Sequence, residues 1–267
     1  MTKSSWRTSS TSPRSSTGPS PRALAWIRLE LDGAEILFSD RTGGVSAPPF
    51  DTANAGYSRG DDPAHVDENR VRIGAALGGR GSDPAAWISL HQVHGAAVYL
   101  ADVLGKTAGH PAPRADAAVS ADPEAVLSVL TADCGPVALV APGVVAAVHA
   151  GWRGIAAGVI EAAVAEVRQR TAGSIRAVLG PCIHPECYEF SASGLEPIAT
   201  RLGPEVEGRT ADGRLALDLP RAVQLALAGA GVADVTDVDV CTACSADHFS
   251  HRRDGRTGLQ AMLVAAP

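Results

Sequence analysis

Residues 125–151 read AVLSVLTADCGPVALVAPGVVAAVHAG, three apolar runs of strand length divided by a few polar, proline or glycine positions. Runs this short and this apolar fit strands covered on both faces. A strand covered twice needs a layer on each side, so the chain is expected to be a mixed α/β protein. The third run ends in His149, and Gly151, Trp152, Arg153 and Gly154 follow. A histidine at a strand's carboxyl end, before a glycine turn, is where a metal ligand or catalytic base sits in an open α/β sheet. A core histidine can sit there equally well.

The flanking segments supply further elements. WIRLELDGAEILFSDRTGGVS predicts two strands joined at Asp32-Gly33. DDPAHVDENRVRIGAALGG predicts a helix with Asp61 or Asp62 as N-cap, Pro63 at the first position and Gly78-Gly79 as the stop. GIAAGVIEAAVAEVRQRT predicts one helix starting directly after Arg153, and PRAVQLALAGAGV a second. WISLHQVHGAAVYLADV is an interrupted strand, and SIRAVLGPCI another. The C-terminal stretch predicts a strand, a loop bearing Cys and His, an Arg-Asp-Gly turn and a last strand.

With 267 residues, 45% of them hydrophobic, the chain can bury a large core, and one domain over residues 23–267 is expected. Residues 1–22 are rich in Ser, Thr and Pro and read as a disordered tail. That tail lacks the apolar segment of a secretory signal, although an organelle transit peptide shares its Ser and Arg bias. A net charge of -6 argues against nucleic acid or an anionic membrane as partner and favours a small molecule. Five cysteines, an odd number, do not resemble a secreted disulfide framework, so a reducing, cytoplasmic setting is expected.

Three side chains suited to a metal stand at strand ends: His94, Cys134 and His149. Three protein ligands with a vacant fourth position are the pattern of a catalytic zinc site, and copper accepts the same donors. Their sequence spacing is not diagnostic, and from the residues alone buried core side chains are the preferred reading of them. His91 shares an H-x-x-H with His94 but points the other way on a strand. Cys241-Thr-Ala-Cys244 followed by His248 and His251 has the local spacing of a zinc ribbon and is a rival site. Cys182 and Cys187 read as packed thiols.

FSDRTGGVS, DDPAHVDENR, WISLHQVHG, TADCGPV, AAVHAGWRG, GPCIHPECYE and HFSHRRDGRTGLQ occur in the order found in the YfiH/YlmD family. The chain resembles that family from about Ala34 to near its C-terminus. Members are described as polyphenol oxidase or laccase-domain proteins and as purine nucleoside phosphorylases. The resemblance implies a layered sandwich with mixed sheets inside and helices outside. It implies metal ligands at His94, Cys134 and His149, with zinc as the cofactor of the phosphorylase members and copper proposed for others. It also implies that Arg41 and Asn54 line the substrate pocket, and it places no metal in the 241–251 segment. Departures from the family are TANAG around Asn54 where leucines are usual, His184 in GPCIHPEC, and His248 and His251 where aromatics are usual.

The activity implied is phosphorolysis of adenosine and inosine, with methylthioadenosine as a further candidate substrate and adenosine deamination as a side activity. Phosphorolysis needs an anion clamp, for which Arg41 and Arg153 are candidates because a guanidinium binds phosphate through two hydrogen bonds. The N-terminus of the helix starting near Ile155 favours the same anion. The H-x-E and P-C-x-x-C signatures of nucleobase deaminases are missing, so deamination needs another base. Asp133, beside Cys134, is a candidate for that base or equally for a turn residue. The eight His form no H-x-H pair, which argues against a multicopper laccase. A metal-free hydrolase acting on peptidoglycan precursors, with Cys134 as nucleophile and His149 or His94 as base, is a further alternative.

Overall fold

The structure, a computed structural model, describes residues 26–101 and 112–266. The tail expected over residues 1–22 lies outside the described residues. In chain order the strands are β1 (Ile27–Leu31), β2 (Ala34–Phe38), β3 (Trp87–Ile88), β4 (Val98–Leu100), β5 (Ala117–Ser120), β6 (Val126–Thr131), β7 (Gly135–Ala141), β8 (Val144–Ala150), β9 (Arg176–Leu179), β10 (Glu207–Arg209), β11 (Leu215–Leu217), β12 (Asp234–Asp237) and β13 (Gln260–Ala265). The helices are α1 (Pro63–Leu77), α2 (Trp152–Ala157), α3 (Val159–Arg168), α4 (Ala192–Leu202), α5 (Leu219–Gly229) and the single turn α6 (His251–Asp254).

Strands β12-β9-β7-β8-β5-β4 form one sheet, β1-β2-β13-β6-β3 a second, and β10-β11 a small ribbon. Both large sheets are mixed: β12 with β9, β4 with β5 and β3 with β6 run parallel, and the other pairs antiparallel. Because side chains alternate across a strand, β7 and β8 feed two cores at once. Val137, Leu139, Val144, Ala146 and Val148 pack against Ile155, Ile160 and Val164 of the helices. Ala138, Val140, Val145 and Ala147 face the other way, onto Ile36, Phe38, Leu127 and Met262 of the second sheet. That second sheet is covered on its far side by Ile73 and Leu77 of α1, which pack with Leu37, Trp87 and Leu263. The order is therefore helix, sheet, sheet, helices, the layered α/β sandwich expected.

Local signals explain most boundaries. Asp32 and Gly33 take positive φ of 50° and 83°, which makes the two-residue turn joining β1 to β2. Asp62 caps α1 by accepting the Ala64 N–H at 2.9 Å. The single helix expected after Arg153 is two. Gly158, at φ 87°, closes α2 and opens α3, a conformation that costs glycine little. The first of them also starts at Trp152, earlier than expected, so Arg153 lies within its first turn. The Arg-Asp-Gly turn expected near the C-terminus is the helical turn α6, with Ser250 as its cap.

Candidate metal centre and its cavity

His149 lies on the face of β8 that carries Val145 and Ala147, one alternation beyond Ala147, so its ring points between the sheets. Asp116, just ahead of β5, is its ladder neighbour. The His149 N–H donates to the Asp116 carbonyl at 2.7 Å, and its Nδ1 lies 2.9 Å from the Asp116 carboxylate. That contact leaves Nε2 free for the centre. The same carboxylate accepts the backbone N–H groups of Val93, His94 and Gly95, the last two at 2.8 and 2.7 Å. His94 takes a positive φ of 60°, and this ring of N–H donors holds it there. One buried carboxylate thus orients His149 and the backbone of His94 together. Sequence reading passed over Asp116; an acid inside the apolar stretch RADAAVS was the available signal.

Cys134 directly precedes β7, whose Gly135 pairs with Ala150 of β8. The ligand atoms of His94, Cys134 and His149 all lie within 4.8 Å of one another, with His94 Nε2 3.9 Å from Cys134 Sγ. Tetrahedral zinc holds a nitrogen and a sulfur ligand about 3.6 Å apart, so the trio fits the ion with little movement. Gly151 makes room for it: a Cβ there would lie 3.0 Å from His94 Cδ2 and 3.1 Å from Cys134 Sγ. His149 is buried, Cys134 half-buried and His94 exposed, which leaves one side of the centre open.

Electrostatics couple the three groups. Burial opposes ionisation of Cys134, but His149 and His94 more than offset it and bring the thiol down to about 6. Burial likewise opposes charging of His149, yet Cys134 and Asp116 raise its imidazole to about 9. Burial would also raise the Asp116 carboxyl, which His149 and the N–H groups of Gly95 and His94 hold below the usual range. Between those two values the metal-free centre is a thiolate beside an imidazolium. A ligating imidazole must be neutral. Metal loading between about pH 6 and pH 9 is therefore expected to release one proton from His149. Calorimetric titration in two buffers of different ionisation enthalpy measures it, and equal heats in both buffers count against this pairing.

The centre opens into a cavity of about 1090 Å³ whose walls include Tyr57, Arg70, Trp87, His91, Asp133, Trp152, Arg153, Tyr188 and Arg252. Arg153 is exposed and stacks on Trp152, its guanidinium carbon 4.2 Å from the ring centroid. Among the described residues no carboxylate lies within ion-pair distance of it. Arg252 and Tyr188, which sequence reading did not single out, stack on each other at 4.7 Å. Burial, Cys134 and Asp133 push the Tyr188 hydroxyl above its usual range, with Arg252 and Arg153 opposing, so it stays protonated.

Arg41 and Asn54 do not line this cavity. The Arg41 guanidinium is spent on Asp51, through its carbonyl at 2.8 Å and its carboxylate at 3.2 Å, and on Asp254 at 3.6 Å. The Asn54 amide is fully buried and used on all sides, donating to Gly56 and Asp61 and accepting from Gly56 and Leu259. Asp133 reaches the cavity, but its carboxylate accepts Thr242 Oγ1 at 2.7 Å and the Arg252 N–H at 2.6 Å. Its φ is 100°, and through these two bonds it anchors the C-terminal segment at the cavity wall. The zinc-ribbon grouping also changes: His248 turns to Ser245 Oγ and His251 to the Gly255 carbonyl, away from Cys241 and Cys244.

Residues 35–267 match the family model described as multi-copper polyphenol oxidoreductase laccase. Among curated proteins, "Purine nucleoside phosphorylase SCO2081" of Streptomyces coelicolor is 42% identical over 241 residues, 89% of this chain and 97% of that protein. "Purine nucleoside phosphorylase YfiH" of Escherichia coli is 39% identical over 242 residues, 87% of this chain and 93% of that one. The crystal structure of YlmD from Geobacillus stearothermophilus superposes with a TM-score of 0.82 at 33% identity, covering 92% of this chain and 97% of its own. That of Bacillus licheniformis YfiH gives 0.80 at 27% identity, covering 88% and 93%. The chain belongs to the multi-copper polyphenol oxidoreductase laccase family, in its YfiH/YlmD form.

Proposed function

We propose that the chain is a zinc-dependent purine nucleoside phosphorylase that cleaves adenosine and inosine with phosphate to free base and ribose 1-phosphate. The observation that carries this is the open three-ligand centre on a cavity with Arg153 at its wall, an arginine that meets no carboxylate among the described residues. The names of relatives at 39–42% identity support it. Nucleoside and phosphate are the partners; among the described residues no helix is long and apolar enough to cross a membrane.

His94, Cys134 and His149 would hold the ion, whose contribution when bound is Lewis acidity toward developing negative charge. Arg153 binds phosphate through its planar fork, and Arg252 adds positive charge on the same wall. Trp152 and Tyr188 keep those guanidinium groups in place by stacking and displace water from the inner wall. The protonated Tyr188 hydroxyl is a donor for a substrate oxygen or for the departing purine. Phosphate oxygen then forms a bond to the anomeric carbon as the bond to the purine nitrogen breaks.

The thiolate–imidazolium pair favours one second reading, Cys134 as nucleophile in a metal-free hydrolase. A single assay separates the two. Zinc-loaded protein with adenosine or inosine is expected to form free base only when phosphate is added, and chelation to stop it. No turnover by zinc-loaded protein, with hydrolysis appearing on chelation, would favour the thiol route. Arg153→Ala is expected to raise the KM for phosphate about ten- to hundredfold, the loss of about 1.5–3 kcal/mol of charge-assisted hydrogen bonding. An unchanged KM in steady-state kinetics removes Arg153 from the clamp.

A further inference from the structure

A second group of ligand side chains converges outside the centre described above. The sulfurs of Cys187, Cys241 and Cys244 and a carboxylate oxygen of Glu186 all lie within 4.8 Å of one another. Cys187 and Cys244 sulfurs are 3.3 Å apart, and Cys244 Sγ is 3.6 Å from Glu186 Oε1. Tetrahedral zinc places two thiolates about 3.8 Å apart and a thiolate and a carboxylate oxygen about 3.6 Å apart. The sulfurs are close enough to share an ion, with the Cys187–Cys244 pair opening by about 0.5 Å to do so, and lie well beyond the ~2.0 Å of a disulfide.

The backbone brings the two segments together without the ion. Thr242 N–H donates to the Cys182 carbonyl at 3.0 Å, Cys182 N–H to the Val240 carbonyl at 3.1 Å, and His184 N–H to Cys241 Sγ at 3.4 Å. Arg253 braces the loop through the carbonyls of Thr242, Ala243 and Ser245 and brings positive charge near the sulfurs. Three soft sulfurs with one carboxylate oxygen suit zinc, whereas Mg or Ca would want oxygen alone.

We propose that Glu186, Cys187, Cys241 and Cys244 bind a zinc ion as a closed, structural site stapling the 184–188 turn to the 241–245 loop. Four protein ligands leave no position for substrate, unlike the open trio. The staple lies behind the cavity wall. Tyr188 follows Cys187 directly, and Thr242, next to Cys241, holds the Asp133 carboxylate beside Cys134.

The test uses the chain stripped of metal under reducing conditions, then titrated with zinc or cobalt(II) and assayed for bound metal by plasma mass spectrometry. Wild type is expected to hold two zinc ions and His149→Ala one. Cobalt in His149→Ala is expected to give tetrahedral visible bands and a near-ultraviolet thiolate charge-transfer band. Both signals should be lost on adding Cys241→Ser or Cys244→Ser. A check without cysteine variants is alkylation of His149→Ala, in which zinc should protect Cys187 and Cys244 from iodoacetamide. A His149→Ala protein that binds neither ion, or thiols alkylated equally with and without zinc, overturns the site. So does a Cys187–Cys244 disulfide found in linked peptides in place of metal after reducing purification.

Discussion

Replacing His149 by alanine is expected to remove the cavity metal and lower phosphorolysis at least a thousandfold while leaving the fold in place. The imidazole supplies one of only three protein ligands, so its loss leaves two donors on a half-open site. A bound ion that stabilises developing charge is worth several kcal/mol, and about 4 kcal/mol corresponds to a thousandfold in rate. The fold should survive because Asp116 keeps its backbone donors from Val93, His94 and Gly95 when the ring goes. Metal content, kcat/KM and far-ultraviolet dichroism measured on one preparation decide it. Wild-type turnover with wild-type metal content would remove His149 from the centre.

Asp116→Ala is expected to damage stability and metal binding together. Its carboxylate has no exposure and is paired with the His149 ring at 2.9 Å, so removal leaves that ring nitrogen and several backbone N–H groups without their acceptor. Breaking such a buried pair costs about 3–5 kcal/mol, and in a chain of this size that is about 6–20 °C in Tm. Asp116→Asn keeps the shape but not the charge, and it is expected to weaken metal affinity about ten- to hundredfold, the usual effect of losing a ligand's orienting partner. Thermal melts of both variants and competitive chelator titration of the Asn form are the measurements. A Tm within a degree of wild type for the Ala form would show that the N–H groups find other acceptors.

Features governed by neighbours in sequence were legible. The Asp32-Gly33 turn, the Asp62 cap and the three buried strands follow from residues a few positions apart, and so does the face on which His149 lies. What escaped depended on distance along the chain or on masked periodicity. Helix α4 carries Gly194 and Pro197 inside it, which hides its apolar stripe, yet Leu195 and Ile198 still bury. The ribbon β10-β11 is made of three-residue strands, too short for alternation to register. Cys241 and Cys244 suggested a partnership with His248 and His251 because these are adjacent in sequence, while Cys187, far upstream, is the side chain that meets them. Arg41 and Arg153 look alike as letters. Carboxylates at Asp51 and at Asp254 of α6, distant in sequence, tie up Arg41 and leave the two in different surroundings.

The two-core alternation of β8 carries a consequence for how this protein can change. Val144, Ala146 and Val148 serve the helices, while Val145, Ala147 and His149 serve the space between the sheets. One residue inserted or deleted between Gly143 and His149 would invert that assignment, turning the imidazole into the helix-side core and an apolar side chain into the cavity. No gradual shift lies between the two outcomes, because a pleated strand has only two sides. Substitution can tune this centre, but length variation in the 144–149 segment is closed to it, and drift in chain length must be absorbed in the loops instead.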